Sequence, residues 1–131
     1  MRFLLDNCFA PRVAQAVGAL RGGTVCHQHD RFSREASDET IAQSLAADGG
    51  WTIVSGDPNR ARLRHQRRAL RAYKITLFCL APGWLDLPLW EQAAELIRRW
   101  PEIEREAEAV EPGTMVEIPV SAAAGFRRLG R

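Results

Sequence analysis

Phe3-Leu4-Leu5-Asp6-Asn7 and Trp51-Thr52-Ile53-Val54-Ser55-Gly56-Asp57 are two short apolar runs, and each ends on an aspartate. Apolar runs of this length, bounded by turn residues, read as strands buried on both faces of a parallel sheet. Between them lies Ser37-Asp38-Glu39-Thr40-Ile41. Ser37 is a suitable N-cap, and acids directly after it favour a helix N-terminus. If the two runs are neighbouring strands, Asp6 and Asp57 share the carboxyl rim of one sheet, where open α/β sheets hold their ligands. Asp38 or Glu39 at the mouth of the intervening helix then completes an all-oxygen set suited to a hard divalent cation, Mg²⁺ or Mn²⁺, and to chemistry on phosphate.

Outward from these runs the pattern alternates: strand 2–6, helix 11–20, strand 24–28, helix 38–47, strand 51–55, helix 60–72, strand 74–80. Pro11 suits a first helical turn, and Arg21-Gly22-Gly23 and Gly49-Gly50 supply stops. Leu87 to Trp100 reads as a further helix, with Leu89, Trp90, Ala93, Leu96, Ile97 and Trp100 on one face and Pro101 kinking or ending it. A Glu-rich helix over 101–110 and a last strand at the sheet edge over 114–118 follow. Residues 121–131 read as a loose basic tail, so one domain is expected over residues 1–120. The expected fold is α/β, a three-layer α/β/α sandwich with a mainly parallel sheet, in which right-handed crossovers bring strands one and three together.

The composition, 46% hydrophobic and 26% charged over 131 residues, is that of a globular domain. No apolar stretch reaches the roughly 20 residues that span a bilayer. The N-terminal run is too short for a signal peptide's apolar region, so the expected address is cytoplasmic. Cys8, Cys26 and Cys79 lie in or beside apolar segments and read as buried thiols rather than disulfides or zinc ligands. His27 and His29 lack a third ligand at zinc spacing, and Trp51, Trp84, Trp90 and Trp100 read as core or interface.

Charge is segmented: residues 1–80 carry twelve bases against seven acids, and residues 86–117 nine acids against three bases. Arg60, Arg64, Arg67, Arg68 and Arg71 form a stripe at helical spacing, opposite Leu63, Leu70 and Tyr73. The stripe reads either as a solvated face, paired with the acidic helix at 102–111, or as phosphate contacts leading a nucleic acid toward Asp57. Asp30, Arg31 and Arg34 are candidate substrate contacts in the loop before Asp38.

The order and spacing of Phe3-Leu4-Leu5-Asp6-Asn7, Ser37-Asp38-Glu39-Thr40-Ile41 and Ile53-Val54-Ser55-Gly56-Asp57 resemble those of the short PIN-like domains of toxin ribonucleases, over residues 2–80. The resemblance implies an α/β/α sandwich and metal-dependent cleavage of RNA. It assigns Asp6, Asp38 or Glu39, and Asp57 to the metal, and implies a cognate antitoxin. Many members of that family carry another acid two positions after the Asp57 equivalent, where this chain has Asn59. The expected function is a metal-dependent endoribonuclease using Mg²⁺ or Mn²⁺, the toxin of a toxin–antitoxin pair. Its expected partners are RNA, an antitoxin protein and a second copy of the chain, without a membrane. Two alternatives stay open. One is a catalytically degenerate PIN-like module that binds RNA or protein. The other is a phosphoacceptor receiver domain, which should carry a second acid beside Asp6 and a lysine after its final strand.

Overall fold

The computed structural model describes residues 1–21 and 24–129. Six strands form one sheet in the order β2-β1-β3-β4-β5-β6. They are β1 (Arg2–Leu5), β2 (Thr24–His27), β3 (Trp51–Ser55), β4 (Leu77–Leu80), β5 (Met115–Ile118) and β6 (Arg127–Arg128). The first five run parallel, and β6 pairs antiparallel with β5. The helices are α1 (Pro11–Arg21), α2 (Gln28–Arg31), α3 (Asp38–Asp48), α4 (Arg60–Ala72) and α5 (Leu89–Ala109).

Every residue of β3 and β4 is buried, which is why these strands carry apolar residues at successive positions rather than at alternate ones. Pleating sends neighbours to opposite faces. Phe3, Leu5, Val54, Phe78 and Val116 pack beneath α1 and α5, with Val17, Leu96, Trp100 and Ile103. Leu4, Ile53, Leu77 and Met115 pack beneath α3 and α4, with Ile41, Leu45, Leu63 and Leu70. Each such fully buried side chain is worth roughly 1.5–3 kcal/mol. The result is the three-layer α/β/α sandwich with a mainly parallel sheet.

β1 pairs with β2 on one side and with β3 on the other, so the strand order reverses between β1 and β3. That reversal opens a crevice at their carboxyl ends. Ser37 caps α3 by accepting the Thr40 N–H at 3.1 Å, and the helix stops at Gly49, whose φ of 81° suits a residue without Cβ.

The fold corrects several expectations. The fourth strand begins at Leu77, not residue 74, because Lys74 sits at φ 57° in the turn that closes α4. Pro101 does not end the last helix: α5 runs unbroken for 21 residues, with Leu96, Trp100 and Ile103 buried on either side of it. Their packing outweighs the hydrogen bond the proline removes. Trp90 leaves the buried stripe and is 71% exposed, since the helix turns Gln92, Leu96, Arg99 and Trp100 inward; Tyr73 is likewise 41% exposed. The segment after residue 120 is not a loose tail, and β5 is not the edge. Arg127 and Arg128 pair with Glu117 and Val116 across the ladder, and Arg128 meets Glu106 at 2.8 Å. The expected helix stop at Gly22-Gly23, and Arg131 of the tail, lie outside the described residues. Among the described residues no helix is long and apolar enough to cross a membrane.

Candidate functional site

The crevice at the carboxyl ends of β1 and β3 is a cleft of about 650 Å³ lined by Asp6, Asp38 and Asp57, with Arg34, Arg62 and His65 among its walls. Each acid arrives from a different element: Asp6 directly follows β1, Asp38 opens α3, and Asp57 lies two residues past β3. The sheet register and the α3 cap bring the three together from separate parts of the chain.

Asp6 is buried, 3% exposed. Its Oδ1 accepts the Cys8 N–H at 3.1 Å and the Gly56 N–H at 3.2 Å. Its Oδ2 accepts the Ser55 hydroxyl and, at 3.5 Å, the Gln66 amide. Burial pushes its pKa above the ordinary carboxylate value, and these four donors oppose the rise. Asp38 is raised for the same first reason, with His65 opposing and the negative charges of Glu39 and Asp57 adding to it.

Asp57 has the opposite balance. Burial pushes it up, but the Arg62 hydrogen bonds, the Asn59 N–H and the Arg62 charge bring it below its ordinary value. Arg62 Nε donates to Oδ2 at 2.9 Å and Nη2 to Oδ1 at 3.0 Å, a bidentate pair. Asn59 donates its N–H to Asp57 Oδ1 at 2.8 Å, while its own side chain caps α4 by accepting the Arg62 N–H at 3.0 Å. The position two residues after Asp57, where the resemblance implies a further acid, is therefore a helix cap in this chain.

Asp38 and Glu39, equivalent in the sequence, are separated by the fold. Asp38 lines the cleft, whereas Glu39 points outward with its side chain 59% exposed. His65 lies 3.6 Å from Asp38 and 3.5 Å from Glu39. Of the loop residues, Arg34 lines the cleft. Asp30 is used to cap α2 through the His27 N–H, and Arg31 stacks on Trp51.

The arginine stripe divides as well. Arg64, Arg68 and Arg71 are exposed on α4. Arg67 is turned inward, donating to the Leu129 carbonyl at 2.7 Å, and Arg60 lies 3.9 Å from Glu117. Of the acidic stretch at 102–111, Glu102 to Glu108 belong to α5, on the opposite face of the sheet from α4, where Glu104 faces Arg21 and Glu106 faces Arg128.

Three residues in the site were not singled out from sequence: Ser55, Gln66 and Gln28. Ser55 ends an otherwise apolar strand. Gln66 falls between Leu63 and Leu70 on the inward face of α4, so each is a polar residue at a position the pattern reserves for apolar ones. Gln28 accepts the Asn7 N–H at 3.3 Å from the rim of β2. The thiols hold no common site. Cys79 is buried in the sheet, Cys26 is half-buried, and Cys8 at the cleft is pushed up to about 12 by burial and by Asp6 and Asp57, so it stays protonated. His27 is buried, its Nε2 2.7 Å from the Phe9 carbonyl and its Nδ1 accepting the His29 N–H at 3.1 Å.

The donor set of the cleft fits a hard divalent cation in its chemistry. All three acids offer oxygen, and the charges of Asp38 and Asp57 repel each other in a way a cation relieves. The arrangement is not closed around an ion: among the described residues no three His, Cys, Asp or Glu side chains are gathered tightly enough to hold one. Asp57 is the acid whose two oxygens are both taken by a guanidinium.

The fold and the cleft define a doubly wound α/β domain with an acidic crevice at its switch point. Residues 1–82 match the family described as a PIN like domain. That is more than half of the chain, and the protein belongs to the PIN-like domain family. No curated protein and no solved structure matches it. The receiver alternative loses its remaining support: Lys74 borders a depression at the amino-terminal edge of the sheet with Gly50 and Trp51, away from Asp57.

Proposed function

We propose that this protein is a divalent-metal-dependent endoribonuclease that hydrolyses RNA phosphodiester bonds. The observation that carries the proposal is the convergence of Asp6, Asp38 and Asp57 on one cleft with cationic walls. In this reading Asp6, Asp38 and Asp57 hold Mg²⁺ or Mn²⁺. The ion, when bound, supplies an acidified water and neutralises charge on the phosphate. Ser55, Gly56 and Gln66 fix the orientation of the Asp6 carboxylate, leaving it no rotational freedom. Arg34 and His65 line the walls where a phosphate backbone enters, and Arg64, Arg68 and Arg71 extend positive charge along α4. RNA rather than DNA, and the toxin half of a toxin–antitoxin pair with an antitoxin as partner, rest on the family resemblance.

The test is incubation of a mixed structured and single-stranded RNA pool with Mn²⁺, Mg²⁺ or EDTA, comparing wild type with Asp6→Asn/Asp57→Asn. Metal-dependent cutting that disappears in the double variant is expected. For the toxin reading, expression of the wild type alone is expected to arrest growth, and expression of the double variant is not. Two observations favour a second reading, a degenerate module that binds RNA without cutting it. Asn59 caps a helix where relatives often carry an acid, and the acids are not gathered around an ion. Under that reading RNA binds with the same affinity in Mn²⁺ and EDTA and stays intact in both.

A further inference from the structure

Arg62 closes the acidic cleft with a charge of the sign a metal ion would bring. Its guanidinium bonds both oxygens of Asp57, at 2.9 and 3.0 Å, while 66% of its side chain remains exposed. Asp57 itself is only 12% exposed at its side chain, with the guanidinium bonded to both of its oxygens. Asp6 differs, because its four donors are neutral groups, the most distant of them the Gln66 amide at 3.5 Å. Asp38 differs again, with the His65 ring 3.6 Å from its carboxylate. Of the three acids, one is thus occupied by a fixed positive charge on a long side chain that solvent reaches.

We propose that Arg62 is an exchangeable counter-ion: a divalent cation entering the cleft displaces it from Asp57, and the released guanidinium becomes a phosphate contact for RNA. The proposal rests on the nuclease reading of the same cleft and names its regulation. The physical ground is competition. Two cations cannot both take the same carboxylate oxygens, and a planar guanidinium matches a phosphate as well as it matches a carboxylate. Arg62 lines the cleft and stands in the first turn of α4, two residues before Arg64 of the exposed stripe, so a swing away from Asp57 carries it toward the surface a backbone would follow. Metal loading and RNA binding are then coupled with one sign: each favours the state the other needs.

The experiment measures Mn²⁺ binding to the full chain by electron paramagnetic resonance, in wild type, Arg62→Ala, Arg62→Lys and Asp57→Asn. An uncleavable 2′-O-methyl RNA is then titrated with and without Mn²⁺. An exposed ion pair typically weakens a competitor by up to about fivefold, so Arg62→Ala is expected to bind Mn²⁺ about two- to fivefold more tightly than wild type. Arg62→Lys, which keeps the charge and loses the fork, is expected to fall between them. Mn²⁺ is expected to tighten RNA binding in wild type beyond its effect in Arg62→Ala, and to steepen the salt dependence by about 0.7, one phosphate on a single strand. Equal Mn²⁺ affinity in wild type and Arg62→Ala, with Asp57→Asn weakened, overturns the exchange and leaves the metal site standing. Absence of Mn²⁺ binding in both wild type and Arg62→Ala overturns the site and the exchange together.

Discussion

Replacing Asp6 by Asn and by Ala should move stability in opposite directions. Asp6 is a buried carboxylate with its pKa raised above 3.8 by burial. A carboxyl whose folded pKa is raised favours the fold below its unfolded value, and that contribution is lost as pH rises through the folded pKa. Above the unfolded value the buried group is therefore a cost to the fold. Asparagine removes the charge and keeps the bonds. Its Oδ1 still accepts the Cys8 and Gly56 N–H groups, and its amide nitrogen, in place of Oδ2, donates to the Ser55 hydroxyl oxygen and to a flipped Gln66. The gain should be about 0.5–2 kcal/mol, the range for relieving strain held at a functional site. A chain of this length converts about 1 kcal/mol into roughly 3–5 °C of Tm, so Asp6→Asn should melt roughly 2–10 °C above wild type. Alanine instead strands three of the four donors, the Cys8 and Gly56 N–H groups and the Ser55 hydroxyl, at about 1 kcal/mol each, while the cleft-lining Gln66 amide turns to solvent; the lost charge offsets part of this, for a net loss of about 1–3 kcal/mol. Thermal melts followed by circular dichroism in EDTA, from pH 4 to 8, test this. The advantage of Asn should shrink toward pH 4 and grow as pH rises. If Asn destabilises as much as Ala at pH 7, the carboxylate charge is a structural asset and the reasoning fails.

Three further outcomes follow from the same geometry. Arg64→Glu/Arg68→Glu/Arg71→Glu should weaken binding to single-stranded RNA and flatten the log-affinity against log-salt slope by about 2, at about 0.7 for each phosphate no longer neutralised; filter binding across a salt series measures it. Arg67→Ala should loosen the carboxyl-terminal strand, because the Arg67 guanidinium bonds the Leu129 carbonyl; amide exchange at Leu129 should quicken while α3 keeps its protection, with a stability loss of about 1–2 kcal/mol. Asp57 titrates below its ordinary value of 3.8 because Arg62 and the Asn59 N–H outweigh burial. Its ion pair thus supports the fold above 3.8, and that support is lost as pH falls through the folded pKa. Asp57→Asn should level the acid limb of a stability–pH curve below pH 4 and leave the curve above pH 6 parallel to wild type.

The strands that build the site were legible because they are buried on both faces, so β1 and β3 spell themselves as apolar runs ending in Asp6 and Ser55-Gly56-Asp57. Ser37 was legible as a cap because capping depends on local chemistry. Asp38 and Glu39 could not be ranked, since the choice depends on how α3 is rolled against the sheet by Ile41, Ala42 and Leu45. Nor could the grip of Arg62 on Asp57 be read: at five residues apart across a loop and a cap, the pair exists only because Asn59 starts α4 where it does. β6 is two residues long, too short for any periodicity, and forms because Glu117 and Glu106 meet Arg127 and Arg128 at the edge of the sheet. Whether Pro101 ends the helix could not be read, because the penalty it carries is local, whereas the packing of Trp100 and Ile103 that carries α5 through it is not.

The most direct measurement of the central claim is the anomalous scattering of Mn²⁺ in crystals of the wild-type protein soaked in the metal. The account predicts a peak in the cleft, in contact with Asp6, Asp38 and Asp57, with Arg62 swung off the Asp57 carboxylate, and no peak in Asp6→Asn/Asp57→Asn. A peak elsewhere, or a cleft still closed by the Arg62–Asp57 pair at saturating Mn²⁺, would contradict it.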